Sequence, residues 1–190
     1  CDADDTDPDG SRMYIGAFYY HQTYFGPVWN VSTNGSDSND GSILNPFATI
    51  QHAINVASAN DTVLVHPGTY YENINPNGKD VVITSNFIID QDSIYISQTI
   101  IDGGGNTSYS DTGVITYDNG ESKTSQLIGL TIQNGLSGIS ATNSSPILKN
   151  LIIQTSYPGL NVRNNSTVTL ENSIIKNNNT GIYILSRGEL

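Results

Sequence analysis

The chain has 190 residues, enough for one ordinary domain or for one domain with an extension. Its 7 Lys and Arg against 18 Asp and Glu give a formal charge of −11, which repels polyanions and argues against nucleic acid as a partner. No run of about 18 apolar residues exists to span a membrane, and Cys1, the only cysteine, excludes an internal disulfide. Charged residues make up 13% of the chain, about half the average share, so uncharged groups, 22 Asn among them, must supply the polar surface.

Residues 1–27 read as an acidic and aromatic N-terminal extension. A chain that begins at Cys1 is expected to be either a mature lipoprotein or a piece cut at an arbitrary boundary. Asp5-x-Asp7-x-Asp9-Gly10 matches the first half of a calcium loop, with oxygen ligands at alternate positions and a glycine at the sharp turn. Gly16 stands where such a loop places its bidentate Glu. The expectation is a Ca²⁺ site at Asp5, Asp7 and Asp9, against the alternative of a solvated acidic turn. Asp37 and Asp40 form a weaker pair of the same kind. Residues 13–29 carry seven aromatics, including Tyr19, Tyr20, Phe25 and Trp29. So much aromatic surface must be covered, either by its own domain or by a neighbour.

Residues 34–42 hold no apolar residue and predict a loop. Asn45 as N-cap, Pro46 as first helical residue, and Phe47, Ile50, Ala53, Ile54 and Ala57 at spacings of three and four predict one amphipathic helix over 46–58.

Residues 61–190 read as short strands punctuated by Gly, Asn and Pro, and they contain an internal repeat. Gly138, Gly159 and Gly181 recur at 21 and 22 residues. The columns Leu127/Leu148/Leu170, Ile132/Ile153/Ile175, Ile139/Leu160/Ile182 and Ala141/Val162/Ile184 each hold one class of side chain. That period suits one coil of a parallel β-helix, in which coils stack about 4.8 Å apart and like residues superpose. Gly129, Asn150 and Asn172 then fall at a turn that needs left-handed dihedrals. The predicted fold is all-β: a β-helix over residues 28–190 of about 21–22 residues per coil, its first coil plugged by the helix.

Val28–Ser32, Gly35–Ser42, Asn45–Gln51 and Asp61–Tyr70 resemble the opening of right-handed parallel β-helix proteins of the pectate-lyase-like superfamily. The resemblance covers about 28–190. It implies a right-handed solenoid and a secreted protein, extracellular or at the cell surface. It also brings in polysaccharide as a candidate partner, since many members act on or bind polysaccharides. Asp7–Arg12 and Gly16–Phe18 resemble the segment that closes one such β-helix before another begins. That implies a unit of a tandem or polymeric array.

Enzymes of that superfamily use acids, Ca²⁺ and Lys or Arg, and hydrolysis needs two carboxylates about 5–9.5 Å apart. The outward columns Ser140/Asn161/Tyr183 and Thr142/Arg163/Leu185 contain no acid. Asp102, Asp111, Asp118 and Glu121 share no offset, Lys149 and Lys176 do not align, and Arg163 is the one candidate lyase base. His21, His52 and His66 have no second His at a ligand spacing. No catalytic residue is therefore assigned. The expected function is a non-catalytic structural or adhesive module that self-associates head to tail into a filament or sits beside a neighbouring β-helix domain. The alternative is a carbohydrate-active module. Assembly contacts are expected at Tyr19, Tyr20, Phe25 and Trp29, with Ile182 and Ile184 receiving them.

Overall fold

The computed structural model describes residues 27–105 and 113–185. Three parallel sheets run along a solenoid. The first orders β1 (Val28–Val31), β2 (Thr62–Val65), β4 (Val82–Ser85), β7 (Gln126–Ile128), β10 (Ile147–Lys149) and β13 (Thr169–Glu171). The second orders β3 (Gly68–Tyr70), β5 (Thr99–Asp102), β8 (Thr131–Gln133), β11 (Ile152–Gln154) and β14 (Ile174–Lys176). The third orders β6 (Gly113–Tyr117), β9 (Ser137–Thr142), β12 (Leu160–Arg163) and β15 (Ile182–Leu185). This is the predicted right-handed parallel β-helix.

The register follows the repeat read from the sequence. Ile153 pairs with Ile132 and Ile175, Leu148 with Leu127 and Leu170, and Leu160 with Ile139 and Ile182. Ile132, Ile139, Leu148, Ile153 and Leu160 are fully buried, so the aligned columns are the core. Side chains alternate across each strand, which leaves Gln133, Ser140, Asn161 and Arg163 on the outer face.

Turns repeat as faithfully as strands. Gly129, Asn150 and Asn172 have φ of 69°, 53° and 47°. A second left-handed column follows the second sheet: Asn134, Thr155 and Asn177, at 57°, 53° and 54°. Asn bears this conformation because its short amide can bond locally, whereas a β-branched Thr is crowded there.

The helix is shorter than the sequence signals suggest. Helix α1 spans Ile50–Val56, and Thr49, not Asn45, is its N-cap, accepting from the His52 N–H. Pro46 and Phe47 instead continue the coil, with Phe47 N–H donating to the Asn30 carbonyl at 2.9 Å. Ile50, Ala53 and Ile54 close the end of the core. Carboxylates hold the helix start: Asp37 accepts from Ala48 N and Thr49 N, and Glu72 from Ile50 N and Gln51 N. At the other end Lys79 Nζ donates to the carbonyls of Ile54, Asn55 and Ala57 at 2.7–2.9 Å. The N–H groups at the helix start and the Ile54 and Asn55 carbonyls at its end thereby find partners.

The stretch after β4 is not all strand. Helices α2 (Phe87–Asp90) and α3 (Ile94–Gln98) lie outside the first sheet. There Phe87, Ile88, Tyr95 and Ile96 gather with the outward Val82 and Ile128 in a satellite cluster.

Two outcomes test this architecture. Ile153→Asp should yield no folded protein by circular dichroism, because an unpaired buried charge costs several kcal/mol. Thr155→Asn should raise the melting temperature, relieving about 1 kcal/mol of left-handed strain.

Candidate functional site

Residues on the outer faces of the sheets are the ones able to meet a ligand. The richest column is Asp102, Gln133, Gln154 and Lys176, on β5, β8, β11 and β14, and its acid lies off the 21–22 residue period. Asp102 is 6% exposed. Its Oδ2 accepts from Gln133 Nε2 and Asn134 Nδ2, both at 2.8 Å, and its Oδ1 from Gly104 N at 2.8 Å. Gln154 Nε2 donates to Gln133 Oε1 at 2.9 Å, extending the chain of bonds to a third coil. Burial pushes the Asp102 carboxyl up, and the bonds from Gln133, Gly104 and Asn134 outweigh it, holding the group below its ordinary value. A carboxylate so occupied orders the coils; its lone pairs already face donors.

The two columns foreseen from the sequence are also present. Ser140, Asn161 and Tyr183 align, as do Thr142, Arg163 and Leu185. Arg163 Nε donates to Asn161 Oδ1 at 3.0 Å, which ties the candidate base to its own strand. Lys149 faces Glu171 at 3.2 Å on the surface, a pair worth little to stability.

Other acids likewise act as ties. Glu121 is buried and accepts from Gly78 N, Asn119 N and Ser144 Oγ. Asp80 accepts from both the backbone N–H and the hydroxyl of Ser122. Asp37 and Asp40, the weaker calcium pair, each serve backbone donors: Asp37 accepts from Ala48 N and Thr49 N, and Asp40 from Ser42 N. Asp5, Asp7 and Asp9 lie outside the described residues, as do Tyr19, Tyr20 and Phe25. Among the described residues no three His, Cys, Asp or Glu gather as a metal group.

Of the expected assembly contacts, Trp29 packs within its own coil, stacked on Phe47 at 5.9 Å, with Nε1 donating to Asp61 at 2.9 Å. Ile182 and Ile184 lie on β15 and are 37% and 47% exposed. His66 is half-buried beside Asn30 Oδ1, and burial lowers its pKa. His52 meets the Phe47 ring edge on. Among the described residues no helix is long and apolar enough to cross a membrane.

Asp102 carries a pH dependence. A depressed carboxyl stabilises the fold above its unfolded value, about 3.9, and that contribution is lost as pH falls through the folded value. Acid titration followed by circular dichroism should show a shallower loss of stability in Asp102→Asn than in the native chain. At neutral pH the variant should be less stable by about 1–3 kcal/mol, because its amide keeps one accepting oxygen and turns an NH2 group toward the donors that faced the other.

Comparison with one solved structure agrees with this architecture. The solved structure of pectate lyase Pel9A superposes with a TM-score of 0.53 at 19% identity, over 77% of this chain and 38% of that one. A rhamnogalacturonan lyase gives 0.42 at 14% identity, over 80% of this chain and 58% of that one. The uncharacterized protein YwoF of Bacillus subtilis (strain 168) is 42% identical over 65 residues, 32% of this chain. Those residues span 14% of YwoF. The family model described as "Protein of unknown function (DUF1565)" matches residues 33–188. With most of its length matched and the parallel β-helix in place, the chain belongs to the DUF1565 family.

Proposed function

We propose that this chain is a non-catalytic extracellular structural module whose β13–β15 end stacks on a coil of a second copy. The observation that carries the reading is the state of that face. Ile182 and Ile184 are substantially exposed, while their register partners Leu160 and Val162 are fully buried by the next coil. Ile174 and Leu185, at 55% and 44% exposed, widen the apolar surface.

The glycine column supports the same reading. A Cβ on Gly138 would lie 2.5 Å from the Gly159 carbonyl oxygen, and one on Gly159 would lie 2.9 Å from that of Gly181. A Cβ on Gly181 would meet nothing nearer than 3.9 Å. None of the three has the left-handed φ that calls for glycine. Close stacking explains Gly138 and Gly159, and a further coil over Gly181 explains the third. The other end is covered by α1 and offers no bare coil, so copies that meet through their β15 faces close into a pair. The occupied acids support a non-catalytic role, since each serves backbone or side-chain donors. Extracellular placement rests on the acidic, Lys-poor composition and the superfamily resemblance.

Light scattering over a range of concentrations tests the proposal. The native chain should associate as concentration rises, and Ile182→Glu/Ile184→Glu should stay monomeric with an unchanged far-ultraviolet spectrum. A native chain that remains monomeric at high concentration refutes assembly. If that monomer is retained on an insoluble polysaccharide, a carbohydrate-binding function replaces it.

A further inference from the structure

The chain contains four Asn-Gly steps: Asn34-Gly35, Asn77-Gly78, Asn119-Gly120 and Asn134-Gly135. This dipeptide is the one most prone to self-modification, because glycine offers no side chain to hinder its own backbone nitrogen. In the reaction the Gly N–H gives up its proton to solvent base and the nitrogen attacks the Asn Cγ. The new C–N bond closes a five-membered imide, and the side-chain nitrogen leaves as ammonia. Water then opens the imide at either carbonyl, giving Asp or isoaspartate. Water is the sole co-reactant, and Asn34, Asn77 and Asn119 are exposed to it.

In this fold every one of those nucleophiles is already engaged. Gly35 N donates to the Ser32 carbonyl at 2.8 Å and Gly78 N to Glu121 Oε1 at 2.8 Å. Gly120 N donates to Ser144 Oγ at 3.2 Å and Gly135 N to Ser156 Oγ at 3.2 Å. Three of the four acceptors lie on neighbouring coils, 21 to 43 residues away. The same holds for two Asp-Gly steps open to the parallel isomerisation. Gly41 N donates to the Asn45 carbonyl and Gly103 N to the Gln133 carbonyl.

We propose that the four Asn-Gly steps are latent deamidation sites, silent while the coils are stacked and released where a turn opens. The nitrogen must lose its acceptor before it can swing onto Cγ, so coil contacts set the rate at Asn77, Asn119 and Asn134 and the local turn sets it at Asn34. Glu121 and Ser144 form a shared lock. Glu121 holds Gly78, Ser144 holds Gly120, and the Ser144 hydroxyl donates to Glu121 at 2.7 Å. Ser156 is the separate lock on Gly135.

Release at Asn134 has a structural consequence. Its Nδ2 donates to Asp102 at 2.8 Å, so deamidation replaces a donor with a second carboxylate facing the first. An isoaspartate there also adds one methylene to the backbone and breaks the coil period. Damage at this site therefore loosens the tie between its coil and the coil that carries Asp102.

The intact chain is incubated at mildly alkaline pH, folded and in denaturing urea, and isoaspartate is located by peptide mass mapping. All four sites should react readily in urea and far more slowly in the folded chain. Ser144→Ala should accelerate Asn119 about fivefold relative to Asn34, and Ser156→Ala should do the same for Asn134, as expected for loss of one hydrogen bond. Asn34, locked by the Ser32 backbone, is the internal control. The proposal fails if Asn77, Asn119 and Asn134 react as fast folded as unfolded. It fails equally if both alanine variants leave the ratios to Asn34 unchanged, whether by raising all four sites together or none.

Discussion

Every coil must return to the register of the coil below it. A one-residue slip would turn the whole inward column toward solvent. The tolerance is therefore close to zero, and it falls on the turns, where chain length can vary. Here the turns are held by conformation as well as by length. The columns Gly129/Asn150/Asn172 and Asn134/Thr155/Asn177 reverse the chain in left-handed geometry at the same place in successive coils. Once those turns agree, Ile132, Ile153 and Ile175 superpose, and each ladder of backbone hydrogen bonds follows.

A solenoid built this way still has a beginning, and there the register has nothing to copy. The first coil is long and irregular: β1 pairs directly with β2 across the loop and α1 that intervene in the chain. Here charge does the work that repetition does later. Asp37 and Glu72 hold the start of α1 and Lys79 its end. Burial pushes the Glu72 carboxyl up from its ordinary value, and the charge of Asp37 adds to the rise. The cap is thus held by partly desolvated groups, whereas the later coils stack on apolar columns that need no charge.

The same division explains what was legible in the sequence. From Leu127 to Leu185 the coils repeat at 21 and 22 residues, so columns, facing and the asparagine turns could all be read from spacing alone. Asp102 could not. Ile101 pairs with Ile132, 31 positions on, because residues 103–130 hold a longer excursion than later coils do. That shift hid Asp102 as a member of the Gln133/Gln154/Lys176 column from any search at a fixed offset. Helices α2 and α3 were hidden differently. At four and five residues neither is long enough to show a helical period, and their isoleucines read as strand. Asn45-Pro46 carried a sound helix-start signal, but Phe47 gains more by pairing into the coil and burying its ring. Tertiary contact overrode the local preference.

The low charge of the chain follows from how its backbone N–H groups are satisfied between strands. Buried N–H groups at turns need acceptors that no ladder supplies. In the regular coils the acceptor is a small neutral side chain one coil on. Ser144 N donates to Ser166 Oγ, Leu151 N to Ser173 Oγ and Ser156 N to Asn178 Oδ1, each across 22 residues. At a coil spacing of about 4.8 Å a hydroxyl or a short amide spans the gap without a desolvated charge. In the irregular coils several donors converge on one point. There the two oxygens of a carboxylate serve better, as Glu121 does for Gly78, Asn119 and Ser144. The described acids concentrate before residue 122, and the serine and asparagine staples run after it. The shift from carboxylate to neutral staple marks the point along the chain where the solenoid begins to template itself.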